Sequence, residues 1–138
     1  MMKILVTILT SILLFVGVFL ISNKNITLTV TNVINDEGKV SFFLFDEVTF
    51  MKKPLKTTQA IIVNGKSSVT FKNLKKGEYS VVCFHDMNDN GIMDFNNKGI
   101  PSEAYGVSNN IITFGPPTFF STKFSLLEED VNLEIKFY

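Results

Sequence analysis

The sequence predicts an all-β fold, a single antiparallel β-sandwich of about seven strands with Greek-key connections. Several short segments alternate apolar and polar residues with a period of two, which is typical of half-buried strands. Gly, Asn and Asp separate these segments at short intervals. After the N-terminal segment, no stretch repeats apolar residues with the 3.6-residue period of a helix. The chain also has 14 phenylalanines, enough large side chains to fill the space between two sheets.

A long apolar segment precedes the predicted strands. Residues 4–21 form an uncharged, mostly apolar run of 18 residues behind Lys3, which is the pattern of a secretory signal peptide or a signal anchor. A buried core helix is the third alternative. The residues around position 21 are a poor cleavage context, so cleavage stays open. We expect residues 1–22 to be a signal peptide or signal anchor and residues 23–138 to form the β-sandwich domain.

Composition limits the compartment and the partners. An export signal or anchor places the domain outside the cytoplasm, in the periplasm or at the cell surface, with membrane contact only through the N-terminal segment if it is uncleaved. Without residues 1–22 the chain has 12 lysines against 13 acidic residues, a net charge of −1, and it has no arginine. Nucleic-acid binding needs a basic surface that this composition does not supply. The single cysteine, Cys83, excludes an internal disulfide.

The first strands follow directly after the apolar segment. Residues 26–34 alternate Ile, Leu and Val with Thr and predict a half-buried strand. Residues 40–46 are apolar on both faces and predict a central strand. Residues 47–57 lose the alternation, and Pro54 excludes a strand there. Turns are predicted around Gly38 and at Asn64-Gly65, where glycine allows a positive φ.

The remaining strands are separated by one long irregular segment. Further strands are predicted at residues 59–63, 68–74, 78–86, 119–126 and 131–138. Residues 95–118 carry no strand or helix pattern, and a loop of this length is either functional or disordered. It contains Tyr105, Phe114 and a rigid Gly-Pro-Pro, whereas disordered segments are poor in aromatic residues. We expect an ordered loop on the sandwich, with Tyr105 and Phe114 either anchoring it or stacking on a sugar or peptide.

Residues 85–99, HDMNDNGIMDFNNKG, contain a candidate calcium loop. Calcium takes six to eight oxygen ligands, which alternate residues of a tightly curved chain can supply. The metal site is predicted at Asp86, Asn88, Asn90, Ile92 and Asp94, which match the first three quarters of an EF-hand-type loop. Gly91 would allow the sharp turn. Ile92 would offer its backbone carbonyl while its side chain packs inward.

The departures from this motif predict weak binding. The twelfth position is Asn97 rather than glutamate, so the usual bidentate ligand is missing. Glu103 could supply a carboxylate if the long loop folds back. We expect a dissociation constant of roughly 10⁻⁴ to 10⁻³ M, as in extracellular modules. The alternative is a metal-free turn capped by its own Asn and Asp side chains.

Two other side chains are weighed for chemistry. His85 is the only histidine, so a cluster of histidine ligands is excluded. A hydrolase-like or small-molecule site using His85 with Asp86 or Glu103 is an alternative function, which would need an exposed Ser108 nearby. We expect instead that His85 ends a strand and bonds to a loop carbonyl. Cys83 lies in the middle of a predicted strand, which favours a buried, inert thiol.

The chain resembles a known bacterial family. The ordered series H-D-x-N-x-N-G-x-x-D, G-I-P-x-E-x-Y-G-x-S-N-N and G-P-P-x-F is similar to the family catalogued as domain of unknown function 2141, over roughly residues 26–138. The resemblance implies an exported β-protein and gives no activity. The segment Phe71–Tyr79 is also similar to a motif of transthyretin-like and adhesin B-type sandwiches, which implies an immunoglobulin- or transthyretin-like sandwich. The transthyretin-like enzymes use several histidines and an arginine, which this chain lacks.

These observations together predict a function class. We expect an exported, non-enzymatic β-sandwich module, with no catalytic residues, that is stabilised by calcium at residues 86–94. Residues 95–118 would then be presented to an envelope protein or a glycan. A purely structural domain with a metal-free turn is the first alternative, and the hydrolase-like site at His85 is the second.

Overall fold

The computed structural model describes residues 21–138, so the predicted signal peptide or anchor lies outside the described residues except at its last positions. Among the described residues, no helix is long and apolar enough to span a membrane. The strands are β1 (Lys24–Val30), β2 (Lys39–Phe45), β3 (Lys56–Ala60), β4 (Ser67–Leu74), β5 (Gly77–Asp86), β6 (Tyr105–Val107), β7 (Phe124–Leu126) and β8 (Val131–Ile135). A 3-10 turn at Ser108–Asn110 and the short helix α1 (Phe119–Thr122) complete the elements.

The strands form two sheets, as the mostly β prediction requires. The smaller sheet has the order β4-β1-β8, and the larger has the order β3-β2-β5-β6, with β7 paired to the first residues of β5. The long strand β5 pairs with β2 over its whole register, from Lys39 opposite Asp86 to Phe45 opposite Ser80. β5 is therefore the centre of the larger sheet, and its last residue opens the candidate metal loop.

One hydrophobic core contains residues from both sheets. In the smaller sheet, Ile26, Leu28 and Val30 alternate inward on β1, as the period of two predicts. They belong to the same cluster as residues of the larger sheet, namely Val40, Phe42 and Leu44 of β2 and Val81 and Cys83 of β5. A second, smaller cluster around Phe45, Val82 and Val107 lies on the other face of the larger sheet.

The prediction of a wholly antiparallel fold is wrong. β1 and β8 pair in parallel, with Ile26 opposite Val131 and Val30 opposite Ile135. β7 ends at Leu126 opposite Gly77, at the end of the domain where β1 starts, and only residues 127–130 separate it from β8. The Asn25 N–H donates to the Asp130 carboxylate of this turn at 2.8 Å. β8 therefore begins at the same end as β1.

Two predicted strands are displaced. The strand predicted at 59–63 lies at Lys56–Ala60. The position of this edge strand is set by its backbone pairing with β2 and not by its apolar residues. The strand predicted at 119–126 begins as α1 and becomes β7 only at Phe124. Thr118 and Ser121 form a reciprocal capping box at the start of α1, which favours a helical turn locally.

The segment 95–118 is ordered, but not as a single loop. Residues 94–103 form a short hairpin, β6 adds to the edge of β5, and the 3-10 turn follows. The Tyr105 carbonyl accepts from the Tyr138 N–H at 3.0 Å, so the backbone at Tyr105 ties the segment to the last residue of the chain. Phe114 does not anchor it, because its side chain is fully exposed. A three-residue strand such as β6 is too short to show a period in the sequence.

Candidate metal-binding loop

The candidate loop begins at the end of β5, which lies against the turn before β2. Gly38 has a φ of 67°, and a Cβ atom placed on it would lie 2.0 Å from the Asp86 carbonyl oxygen. Because that neighbour is backbone, no side chain fits at position 38 without a shift of the turn or of the strand end. The sequence predicted the positive φ of Gly38. The contact with Asp86 follows from the pairing of β2 with β5.

Asp86 is fully buried and organises the loop backbone. Its carboxylate accepts from the Gly91 N–H at 2.8 Å and from the Asn90 N–H at 3.1 Å. The Gln59 amide lies 3.5 Å from the same carboxylate. Hydrogen bonds from backbone N–H groups to a carboxylate are among the stronger ones in proteins. Asp86 therefore holds the curvature of the loop from inside, which is a structural task independent of a metal.

Asn88, Asn90 and Asp94 converge on one point at the outer side of the loop. The Asn88 amide donates to one Asp94 carboxylate oxygen at 2.8 Å, and the Asn90 amide contacts both oxygens at 3.0 and 3.2 Å. Gly91 makes the sharp turn with a φ of 78°. The three predicted side-chain positions are thus brought together, around a half-buried carboxylate.

Glu103 folds back to the loop, as its proposed role requires. Its carboxylate accepts from the Asp94 N–H at 3.1 Å. The Ser102 N–H donates to the Asp94 carbonyl at 2.8 Å, and the Asn96 N–H donates to the Ile100 carbonyl at 2.9 Å. These bonds close the hairpin that returns the chain to the loop. A second carboxylate, that of Glu103, is therefore bonded to the backbone of Asp94, a member of the Asn88, Asn90 and Asp94 cluster.

Ile92 departs from the prediction. Its side chain is 64% exposed rather than packed inward, because it lies in a loop whose preceding residues 87–91 are all exposed as well. The Ile92 N–H donates to the Asn90 side-chain oxygen at 3.1 Å. Asp89, which the motif leaves out, pairs with Lys39 at 3.3 Å.

The acidic side chains alone do not form a metal cluster. Within residues 21–138, no group of three or more His, Cys, Asp and Glu side chains is placed to hold a metal ion. Oxygen ligands from Asn88 and Asn90 would be needed beside the Asp94 and Glu103 carboxylates. In the present arrangement both amides donate to Asp94, so a cation would require them to rotate and present their oxygens instead.

The comparison with protein families covers this loop. A family model described as an uncharacterized protein conserved in bacteria, domain of unknown function 2141, matches residues 28–134. The chain belongs to this family. The match confirms the resemblance drawn from the three motifs, and the family's description names no activity. No curated protein and no solved structure matches the sequence.

The other polar residues weighed in this domain of unknown function 2141 are buried and bonded. His85 is buried at the end of β5, and its Nε2 lies 2.6 Å from the Glu37 carbonyl; the ring therefore donates to a loop carbonyl, as predicted. Ser108 is also fully buried, and its hydroxyl accepts from the Val81 N–H at 3.0 Å and donates to the Thr122 carbonyl. The exposed serine that a hydrolase-like site would need is not at position 108.

Cys83 matches its prediction. The thiol is fully buried on β5, and it lies 3.6 Å from the Gly106 carbonyl. Burial raises the pKa of Cys83 far above its ordinary range, so the thiol stays protonated and unreactive at neutral pH.

Sequence reasoning missed the partners that come from other strands. Gln59 reaches Asp86 from β3, and Gly38 meets it from the turn before β2. No local spacing points to either residue, because their positions follow from the register of β2 with β3 and β5. Glu103 was found from its charge and its place in the long loop, and its contact with the Asp94 N–H follows from the hairpin.

Proposed function

We propose that this chain is an exported, non-enzymatic β-sandwich module in which calcium binds the 86–94 loop and stabilises it. The observation that carries the proposal is the convergence of Asn88 and Asn90 on the Asp94 carboxylate, with the backbone N–H of Asp94 donating to Glu103. Calcium would exchange the two amide donors for their oxygens, and Glu103 and the Ile92 carbonyl would add ligands. Four side chains and one carbonyl, completed by water, reach the six ligands that calcium requires.

The proposed site would be weak and would depend on the hairpin. Asp86 already gives both carboxylate oxygens to backbone N–H groups, so it contributes chiefly by shaping the loop. Two amides and two carboxylates at the outer side supply less negative charge than a loop with a bidentate glutamate at its end. A dissociation constant near the upper end of roughly 10⁻⁴ to 10⁻³ M follows, which suits an extracytoplasmic site.

The second part of the proposal concerns the segment that follows the hairpin. Ile112 and Phe114 are both exposed, beside the rigid Pro116 and Pro117. Phe120 is also exposed, with the Lys123 ammonium 5.1 Å from its ring centroid. Exposed aromatic rings on an ordered segment are typical of a surface that binds an apolar partner or stacks on a sugar. An envelope protein or a glycan would bind there.

A metal-free structural domain is the second candidate, and one observation favours it. Every described polar side chain that is buried in the domain has a hydrogen-bond partner, and the Asp94 carboxylate accepts from both asparagines. The loop is thus closed without an ion. The two candidates differ in what the loop does when calcium is added.

Calorimetric titration with calcium tests the proposal. We expect saturable binding at millimolar calcium, and a loss of about tenfold or more in affinity for Asp94→Asn and for Glu103→Gln. Asn97→Ala is the matched control, because Asn97 is exposed in the same hairpin and makes none of the loop contacts described above. Absence of binding at millimolar calcium would leave the metal-free domain as the function, and equal binding by all three variants would place any calcium site outside this loop.

A further inference from the structure

A second exposed surface lies at the opposite end of β5 from the candidate metal loop. The loop of residues 46–56 connects β2 to β3, and a groove of about 750 Å³ separates it from the turn of residues 73–79. Lys24, the first residue of β1, pairs with Leu74 beside that turn. The apolar segment 4–21 therefore joins the domain at this end. The ten residues of β5 put about 30 Å between this end and the metal loop.

The 46–56 loop exposes apolar side chains from a well-fixed backbone. Val48, Met51 and Leu55 are 77%, 54% and 44% exposed. Asp46 and Thr49 hold the loop by reciprocal bonds, with the Asp46 N–H 3.0 Å from the Thr49 hydroxyl and the Thr49 N–H 2.9 Å from the Asp46 carboxylate. These three apolar side chains are therefore exposed on an ordered loop. Local disorder does not explain their exposure.

The charges around these apolar side chains are mostly uncompensated lysines. Lys52, Lys53 and Lys75 are exposed and have no carboxylate within 4.0 Å among residues 21–138. Residues 1–20 contain no acidic residue. Lys56 is also exposed, with its ammonium on the Lys72 carbonyl at 3.0 Å.

The neighbouring carboxylates are largely occupied. Glu78 pairs with Lys123 at 2.8 Å, and Glu128 pairs with Lys76. The Thr49 backbone N–H and hydroxyl donate to Asp46 and lower the pKa of that carboxyl. Glu47 is the acidic residue of the loop that stays exposed and outside these contacts. Glu129 and Asp130 are exposed in the turn before β8 at the same end. The positive charge therefore belongs to the 46–56 loop and Lys75, although the domain as a whole is slightly acidic.

We propose that the 46–56 loop, together with Lys75, docks on the surface of an anionic phospholipid bilayer. Val48, Met51 and Leu55 would enter the boundary between headgroups and acyl chains, as the apolar face of an interfacial segment does. The lysines would reach the phosphates while their aliphatic stems cover the apolar side chains. The apolar segment 4–21 meets the domain at the same end, so docking there brings the loop and this segment to one membrane. The metal loop then points away from the bilayer.

A reporter on the loop tests this orientation in the full chain. A fluorophore is attached at Met51→Cys, and the chain is reconstituted in vesicles that carry quenching lipids, with about 30% phosphatidylglycerol in phosphatidylcholine. Cys83 is buried, so the label goes to the new cysteine. Ile92→Cys is the matched control, because Ile92 is an exposed apolar loop residue at the opposite end. We expect lipid quenching at position 51, none at position 92, and a loss of quenching in phosphatidylcholine alone or in about 0.5 M salt.

Paired lysine variants separate charge from proximity. Each lysine near an anionic surface contributes about fivefold to binding, so Lys52→Gln with Lys53→Gln should lower the ratio of docked to free loop about 25-fold. Lys66→Gln with Lys98→Gln removes the same charge from exposed positions elsewhere and should leave the ratio unchanged. Equal quenching at positions 51 and 92, or an equal effect of the two pairs, would overturn the proposal. The calcium titration does not enter this test, so either proposal can fail alone.

Discussion

Asp86→Ala should destabilise the domain without any metal present. The carboxylate of Asp86 is fully buried and accepts from the Asn90 and Gly91 N–H groups at 3.1 and 2.8 Å. Alanine removes both acceptors and leaves a small cavity at the end of β5. The loop would lose the bonds that hold its curvature, while β5 itself keeps its pairing with β2.

The expected loss follows from these two bonds. A hydrogen bond to a charged group contributes about 1.5–3 kcal/mol to stability. Asn90 and Gly91 are exposed, so water can satisfy their N–H groups in the variant, and the low end of the range applies to each bond. The free energy of unfolding should fall by about 3 kcal/mol, which corresponds to roughly 10 °C in melting temperature for a domain of this size.

Guanidinium unfolding in EDTA measures this loss. Residues 23–138 suit the experiment, because the main core runs from Ile26 to Phe137. Asp89→Ala is the matched control, since Asp89 is an exposed aspartate of the same loop whose pair with Lys39 is about half exposed, and we expect less than about 0.5 kcal/mol for it. A loss for Asp86→Ala no larger than that of Asp89→Ala would refute the assignment of Asp86 as the internal brace of the loop.

Three further predictions follow from single positions. Gly38→Ala should lower the free energy of unfolding by more than about 2 kcal/mol, because the φ of Gly38 is positive and the added Cβ would clash with the Asp86 carbonyl. The same guanidinium titration measures this loss, and an unchanged midpoint would contradict the clash. Cys83 should make the domain sensitive to alkaline pH. The folded state keeps the thiol proton, whereas the unfolded state releases it above the ordinary thiol pKa of 9.0. The free energy of unfolding should therefore be unaffected by this thiol below pH 9 and fall by up to about 1.4 kcal/mol per pH unit above it. A thermal series from pH 8 to about pH 10 compared with Cys83→Ala checks this slope, and identical slopes would exclude the thiol as its source. Phe114→Ser should leave the melting temperature within about 2 °C, because the ring is fully exposed, and a large loss would mean that the ring packs on the domain.

The strands with a buried face were predicted well from the sequence. The alternation of Ile26, Leu28 and Val30 predicted β1, and the apolar run at 40–46 predicted the central strand β2, because burial on one or both faces leaves a direct mark on residue type. The edge strand β3 was misplaced by about three residues. Its residues are partly exposed, so backbone pairing with β2 decides its position.

The parts that depend on distant partners were harder to predict. The parallel pairing of β8 with β1 follows from where β7 ends, opposite Gly77, and it brings together Asn25 and Asp130, 105 residues apart. For the candidate site, spacing identified the cluster of Asn88, Asn90 and Asp94 because all its contacts are local. The buried state of Asp86 was not foreseen, since it depends on Gly38 before β2 and on Gln59 of β3, which are distant in sequence.

The most direct test of the account is a thermal melt of residues 23–138 in EDTA and in about 5 mM calcium, with magnesium as the ionic control. If calcium exceeds the dissociation constant tenfold, binding adds about 1.4 kcal/mol to stability, or roughly 5 °C in melting temperature. The account predicts this rise for calcium alone, and its loss in Asp94→Asn. An equal rise with magnesium, or no rise with calcium, would contradict a calcium site in this loop.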